Sequence, residues 1–235
     1  GSTVVFSAHG SPPSDFEKAE QNKLHVIDAT CPLVTKVHNE AKKYTREGMQ
    51  VILVGHRGHQ EVIGTMGQSE MHLIDEREGF DIPTWDKKAP VAVLTQTTLS
   101  VDDTQAAIDG ITKKFENVTV RNDLCYATTS RQAAVKQLCK QVDLVLVIGA
   151  PNSSNCNRLR EVAEAAGVTA YLVNGPDEIE DEWLDGIEQV GITSGASTPD
   201  DLILAVIDKI KPDEVNRIDG MDENISFVLP KELRN

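Results

Sequence analysis

Hydrophobic residues occur along the chain in two patterns, short β-branched runs and longer stretches with helical periodicity. The short runs lie at residues 51–54, 91–94, 144–148 and 190–192. Their enrichment in valine, isoleucine and leucine predicts buried strands. Amphipathic stretches between them, such as 130–141 and 157–166, predict helices. Strands that alternate with helices indicate a parallel sheet covered by helices, so the predicted fold class is α/β.

Two segments of the chain resemble each other when Cys31 is aligned with Cys125. The alignment pairs the strand at 51–54 with that at 144–148, and the strand near 91 with that near 189. The pattern therefore predicts repeated parallel α/β lobes around a central site, two of them complete and preceded by the tail of a third. The predicted parts are a first-lobe remnant at 1–31, a second lobe at 32–124, a third lobe at 125–216, and a tail at 217–235 that packs back on the lobes. We interpret the opening Gly1-Ser2 as a scar in front of a shortened first lobe.

Composition narrows the possible partners and the cellular location. The net charge of −14 over 235 residues disfavours nucleic acids and anionic membranes as partners, because both require a basic surface. No apolar run is long enough to span a bilayer and no signal peptide is recognisable. Four widely spaced cysteines do not form a secreted disulfide framework. These features predict a cytoplasmic protein.

Loops that follow the strands carry many hydroxyl, amide and imidazole side chains. In parallel α/β units ligands bind at the carboxyl ends of the strands, where helix N-termini bind anions through their N–H groups. A diphosphate fits this chemistry. The loops are Ser7-Ala-His-Gly10, Gly55-His-Arg-Gly-His-Gln-Glu-Val62, Thr95-Gln-Thr-Thr98, Asn152-Ser-Ser-Asn155 and Thr193-Ser-Gly-Ala-Ser197. Taken singly, their serines, threonines and Asn155 are also typical helix caps.

Cys31 and Cys125 each stand where a predicted strand ends and a predicted helix begins. The positive end of the helix dipole favours the thiolate form, which binds metals. The two cysteines are therefore candidate ligands of a shared inorganic centre. Cys139 is predicted to be a buried apolar residue, whereas Cys156 remains ambiguous between structural and ligand roles.

Six motifs together closely resemble one protein family, the 4-hydroxy-3-methylbut-2-enyl diphosphate reductases, also called LytB or IspH. The resemblance covers nearly the whole chain. The motifs are Ser7-Ala-His-Gly10, Asp28-Ala-Thr-Cys-Pro-Leu-Val-Thr-Lys-Val37, Gly58-His-Gln-Glu-Val-Ile-Gly-Thr-Met-Gly-Gln68, Thr95-Gln-Thr-Thr-Leu-Ser-Val-Asp-Asp103, Cys125-Tyr-Ala-Thr-Thr129 and Asn152-Ser-Ser-Asn155.

The resemblance implies a three-lobed protein around a [4Fe-4S] iron–sulfur cluster held by one cysteine from each lobe. It also implies an activity, the reductive removal of the hydroxyl of an allylic diphosphate to give isopentenyl and dimethylallyl diphosphate. This is the last step of the non-mevalonate isoprenoid pathway. The implied electron donor is a ferredoxin or flavodoxin.

Residue roles follow from the same resemblance. Cys31 and Cys125 resemble two of the three cluster ligands, Glu61 resembles the proton source for the departing hydroxyl, and Thr97 resembles the hydroxyl that helps to relay the proton. A positioned carboxyl group suits this role, because hydroxide is a poor leaving group. The residues that resemble the substrate-binding set are His9, His59, Thr98, Ser153, Ser154, Asn155 and Ser197.

The chain departs from the family in lacking the Gly-Phe-Cys-Ala-Gly type motif that carries the first cluster cysteine, and we therefore expect it to be inactive or nearly so on its own. Cys156 is a weak candidate for a replacement ligand because it falls in the predicted diphosphate loop. Two alternatives stay open. One is a diphosphate-binding fragment without catalysis, and the other is a zinc hydrolase that uses His56, His59 and Cys31.

Overall fold

Two compact units make up the described structure, Gly1–Cys125 with Ile225–Asn235 as unit 1 and Tyr126–Asn224 as unit 2. The computed structural model describes residues 1–99, 101–121, 124–218 and 227–234, and for Val101, Asp102, Asp103 and Tyr126 it describes the backbone alone. The predicted tail at 217–235 therefore lies partly outside the described residues. The predicted lobe boundaries remain a prediction.

Unit 1 contains six strands and four α-helices within its described residues. In chain order they are β1 (Thr3–Phe6), α1 (Pro13–Gln21), β2 (His25–Asp28), α2 (Pro32–Arg46), β3 (Gln50–Val54), α3 (Gln60–Met66), β4 (His72–Ile74), β5 (Pro90–Thr95), α4 (Val101–Lys114) and β6 (Asn117–Val120). Strands β1 and β2 form a parallel pair. The other four form a parallel sheet in the order β4-β3-β5-β6.

The four-stranded sheet of unit 1 is buried on both faces. Residues of β3 alternate between them, with Ile52 and Val54 packed against α4 residues such as Ile111 on one side. Val51 and Leu53 pack on the other side against residues of α2 and α3. This double burial explains why β3 is a continuous apolar run rather than an alternating one.

Unit 2 contains three strands and three α-helices within its described residues. They are α5 (Tyr126–Leu138), β7 (Leu144–Ile148), α6 (Ser154–Ala165), β8 (Thr169–Val173), β9 (Val190–Ser194) and α7 (Asp200–Ile210). The parallel sheet has the order β8-β7-β9. Val145 and Val147 face one apolar cluster and Leu144, Leu146 and Ile148 face another, so β7 is also buried on both sides.

The α/β class and its repetition are confirmed. The order β8-β7-β9 in unit 2 reproduces β4-β3-β5 in unit 1, with the same parallel pairing to the central strand. Two helices differ from their predicted bounds. Helix α5 ends at Leu138 rather than 141, and α6 begins at Ser154 rather than 157. The earlier start of α6 follows from its cap, since the Ser153 side chain accepts the Cys156 N–H.

No helix in the described ranges combines the length and apolar character that a bilayer crossing requires.

Candidate active site

Glu61 and Thr97, the predicted catalytic residues, are in direct contact in unit 1. Glu61 is the second residue of α3 and only 2% exposed. Its Oε1 accepts a hydrogen bond from the Thr97 backbone N–H at 2.6 Å, and its Oε2 accepts one from the Thr97 hydroxyl at 3.1 Å. The loop after β5 therefore holds the carboxyl group at the carboxyl edge of the sheet.

Burial controls the protonation of this carboxyl group. Desolvation disfavours the carboxylate and raises the pKa of Glu61 from 4.5 to about 7, although the two hydrogen bonds from Thr97 oppose the rise. A carboxyl group with a pKa near 7 holds a proton in a large fraction of molecules at neutral pH. It can therefore deliver that proton to a reacting group within hydrogen-bond reach.

His59 caps the helix that carries Glu61. Its Nδ1 accepts the Glu61 backbone N–H at 3.2 Å, so the neutral ring carries its hydrogen on Nε2. Desolvation, followed by the charges of His9, His56 and Arg77, lowers the pKa of His59 to about 4. His59 is therefore a neutral donor at physiological pH.

His9 lies beside His59, at the end of the loop that follows β1. The ring centroids are 5.5 Å apart and the rings meet edge to face. Nδ1 of His9 lies 3.2 Å from the Ser7 hydroxyl oxygen. The structure thus brings together two imidazoles that the sequence places fifty residues apart.

His56 points to a different set of partners from His59. Its Nε2 lies 2.5 Å from Glu76 Oε1. With Asp75 these residues form the one group of three candidate metal ligands found within the described part of the chain. A guanidinium nitrogen of Arg77 lies 2.6 Å from Asp75, which already neutralises this carboxylate. The proposed zinc set of His56, His59 and Cys31 is not brought together, which contradicts the zinc-hydrolase alternative.

Cys31 and Cys125 occupy matching positions. Cys31 is the residue before α2 and its N–H donates to Ala8 O at 3.0 Å, in the loop after β1. Cys125 is the residue before α5 and its N–H donates to Thr97 O at 2.8 Å, in the loop after β5. Both thiols are free and partly buried. The matching backbone contacts support the idea that the repeat places two equivalent thiols.

The remaining cysteines have structural surroundings. Cys139 directly follows α5 instead of lying inside it, and it packs on the apolar core of unit 2, where burial raises the pKa of its thiol. Cys156 is 2% exposed, and its Sγ packs directly on the backbone of Gly149 and Gly195. Close packing leaves no room for a side chain at either glycine. Cys156 is therefore a core residue of unit 2 and is not placed like Cys31 or Cys125.

The predicted substrate-binding set is divided between the units, with His9, His59 and Thr98 in unit 1. In unit 2, Ser153 lies in the loop after β7, Ser154 and Asn155 are the first two residues of α6, and Ser197 lies in the loop after β9. Ser153 caps α6, and the Asn155 side-chain oxygen is buried without a hydrogen-bond partner among the described residues. Ser197 is exposed in the loop after β9, which Thr198 joins to the end of β7 through its hydrogen bond to Ile148 O at 3.0 Å.

A family model described as LytB protein matches residues 1–211 of the chain. The chain belongs to the LytB family. A 4-hydroxy-3-methylbut-2-enyl diphosphate reductase of Acinetobacter baylyi is 47% identical over 244 residues, and the match covers 99% of this chain and 77% of that protein. A reductase of the same name from Zymomonas mobilis is 48% identical over 242 residues, covering 100% of this chain and 71% of that protein.

Solved structures agree with the LytB assignment. An E-1-hydroxy-2-methyl-but-2-enyl-4-diphosphate reductase of Plasmodium falciparum superposes with a TM-score of 0.93 at 32% identity, covering 99% of this chain and 76% of that one. A second structure, an (E)-4-hydroxy-3-methyl-but-2-enyl diphosphate reductase described as the terminal enzyme of the non-mevalonate pathway, gives a TM-score of 0.60 at 36% identity. The match to the second structure covers 89% of this chain and 75% of that one.

One buried polar residue next to Thr97 was not predicted to have a role. Gln96 is 1% exposed and forms hydrogen bonds at both ends of its side chain. It stands inside the Thr95-Gln-Thr-Thr98 motif, but a glutamine between threonines does not reveal its partners. A polar residue directly after an apolar strand was the only signal available.

Proposed function

We propose that this LytB chain carries the acid and two of the cluster ligands for the reaction of its named relatives, the reductive removal of the hydroxyl from 4-hydroxy-3-methylbut-2-enyl diphosphate, and that on its own it is inactive or nearly so. Two electrons and two protons enter, the C–O bond breaks, and isopentenyl or dimethylallyl diphosphate leaves with one water molecule. The observation that carries the proposal is the buried Glu61 carboxyl group, held by Thr97 and with a pKa of about 7.

Glu61 is the proposed proton source for the departing hydroxyl. Protonation turns a poor leaving group into water as the C–O bond breaks. Thr97 holds both carboxyl oxygens, so the acid has one fixed orientation. Its hydroxyl lies 3.1 Å from Oε2, close enough to pass a proton along the hydrogen bond.

The diphosphate is the proposed ligand of the imidazole and hydroxyl groups. His59 is neutral with its hydrogen on Nε2, so it donates to an anion without requiring protonation. Ser153 and Ser154 add hydroxyl donors at the start of α6, and Ser197 adds another in the loop after β9. The unpartnered oxygen of Asn155 shows that this amide has hydrogen-bonding capacity that the described protein leaves unused.

Cys31 and Cys125 are the proposed ligands of a [4Fe-4S] cluster. Free, partly buried thiols directly before α2 and α5 fit such a group, because cysteine side chains are the usual ligands of iron–sulfur clusters. When bound, the cluster would supply electrons and a Lewis-acidic iron for the reaction at the substrate hydroxyl. Within the described residues, unit 2 offers no further thiol in the same position, since Cys156 is buried on Gly149 and Gly195. We further propose a ferredoxin or flavodoxin as electron donor and the cytoplasm as location.

The reaction is tested in a version of the protein extended to the full length of its relatives and loaded anaerobically with iron and sulfide. We expect conversion of the substrate when a chemical reductant is present. The E61Q variant should lower the rate by about 10²–10⁴-fold, the range for loss of a general acid, with an unchanged visible spectrum. An unchanged rate in E61Q would refute the proton role. Pyrophosphate binding without conversion would favour the binding-only alternative.

A further inference from the structure

Gln96 is the first residue after β5 and the most deeply buried amide near the proposed acid. Its side chain is 1% exposed. Its backbone N–H donates to Val54 O at 2.8 Å, which continues the pairing between β5 and β3. A buried carboxamide must use its hydrogen-bonding atoms, because leaving them unpaired is costly.

Both ends of the Gln96 side chain are bonded, each to a different loop. Oε1 accepts the His56 backbone N–H at 2.9 Å, and Nε2 donates to Thr98 Oγ1 at 2.7 Å. The orientation of the amide follows from the partners. A backbone N–H only donates, so the atom facing His56 must be the oxygen and the atom facing Thr98 must be the nitrogen.

This orientation determines what the Thr98 hydroxyl does. Because Gln96 Nε2 donates, Thr98 Oγ1 accepts and keeps its own hydrogen for another acceptor. No other hydrogen-bond partner of that hydroxyl occurs within residues 1–99, 101–121, 124–218 and 227–234. Diphosphate oxygens are acceptors only, so they match the remaining donor.

We infer that Gln96 is a positioning residue, which ties the loop of His59 and Glu61 to the loop of Thr97 and Thr98 and directs the Thr98 hydroxyl toward a bound phosphate oxygen. The second part of this inference rests on the proposed function. The first part, that Gln96 joins the two loops, rests only on the two hydrogen bonds of its side chain.

Binding of inorganic pyrophosphate to this chain, measured by calorimetry, tests the action on Thr98. Q96M keeps the side-chain length and removes both bonds, and T98V removes the hydroxyl. Each should raise Kd by about tenfold, the usual consequence of losing one oriented hydrogen bond. The control T95V changes the neighbouring buried hydroxyl, which has no hydrogen-bond partner among the described residues, and should leave Kd unchanged.

The double variant Q96M/T98V separates positioning from a general loss of structure. If Gln96 acts through Thr98, the double variant binds pyrophosphate as T98V does, since the target of the action is already gone. Multiplied effects would overturn that part of the inference. Thermal unfolding of each variant identifies any loss of folded protein.

Hydrogen exchange of the His56 backbone amide tests the tie independently of any ligand. Q96M should accelerate that exchange, whereas Q96E, whose carboxylate still accepts from His56, should retain protection. Equal exchange in wild type and Q96M would overturn the tie. If wild-type protein fails to bind pyrophosphate, the proposed diphosphate site is wrong for this chain, and the exchange result alone decides whether Gln96 joins the loops.

Discussion

The loop after β3 in unit 1 and the loop after β7 in unit 2 share one backbone frame and carry different chemistry. Gly55 N–H bonds to Ile74 O and Gly149 N–H bonds to Val173 O, both at 2.9 Å. His59 and Ser153 then cap α3 and α6. Counting from these caps, Glu61 corresponds to Asn155. The shared backbone arrangement places both residues beside the edge of the sheet. The side chain at that position is an acid in Glu61 and an uncharged amide in Asn155.

The loops after β5 and β9 explain why the two positions differ in their partners. Gln96 N–H bonds to Val54 O and Gly195 N–H bonds to Ile148 O, so Thr97 corresponds to Ala196. Thr97 donates one hydrogen bond to each oxygen of Glu61, whereas Ala196 has no side-chain donor and the Asn155 oxygen has no partner among the described residues. Glu61 is therefore oriented by a residue of its own unit, whereas the Asn155 oxygen is left without such a partner among the described residues.

Cys31 and Cys125 also occupy equivalent positions in the repeat. Their substitution should have the largest effect. C31A and C125A should each abolish most of the iron retained after anaerobic reconstitution, because each thiol occupies the equivalent position before a helix. Iron is counted per chain and the visible absorption recorded. C139A serves as control because Cys139 packs on the core of unit 2. Equal iron content in C31A, C125A and C139A would contradict the assignment of Cys31 and Cys125 as cluster ligands.

Glu61 should also make the folded protein less stable as pH rises. Folding raises its pKa from 4.5 to about 7, so the native state binds more protons and loses stability as pH increases through that window. The shift corresponds to about 3 kcal/mol. In chemical unfolding between pH 4 and 8, E61Q should lack this decline relative to wild type. E70Q, which changes an exposed glutamate, is the control, and parallel curves for wild type and E61Q would contradict the buried acid.

Asn155 should affect ligand binding without affecting proton chemistry. N155A removes the unpaired amide, and we expect Kd for pyrophosphate to rise by about tenfold, as for one lost hydrogen bond. The Glu61 titration should stay unchanged, because Glu61 takes both its bonds from Thr97. A calorimetric titration beside E61Q, which should bind pyrophosphate normally, compares the two positions directly. Equal losses of affinity for pyrophosphate in N155A and E61Q would contradict the assignment of ligand binding to Asn155 and of proton transfer to Glu61.

Thr97 gives the smallest effect. Its hydroxyl bond lowers the pKa of Glu61 against the larger effect of burial, so T97V should raise that pKa further while the backbone bond at 2.6 Å remains. Carbon-13 NMR of the glutamate carboxyl follows the midpoint. A lower midpoint in T97V would mean that the hydroxyl does not stabilise the carboxylate.

The sequence was sufficient to predict the α/β class, the repeat and the main strands, because apolar runs such as 144–148 report burial on both faces directly. Helix starts were harder to predict. The apolar spacing indicated a start at 157, but the Ser153 cap starts α6 at Ser154. The partner of His56 could not be predicted either. Its bond to Glu76 joins residues twenty positions apart, and only the pairing of β3 with β4 brings them together.

Titration of the Glu61 carboxyl carbon by NMR determines whether Glu61 carries an exchangeable proton at neutral pH. The experiment needs neither cluster nor substrate, and E61Q identifies the resonance. We predict a midpoint of about 7, set by burial against the two hydrogen bonds from Thr97. A midpoint near the ordinary 4.5 would leave the carboxyl ionised at neutral pH, with no proton to deliver, and would exclude Glu61 as the proton source.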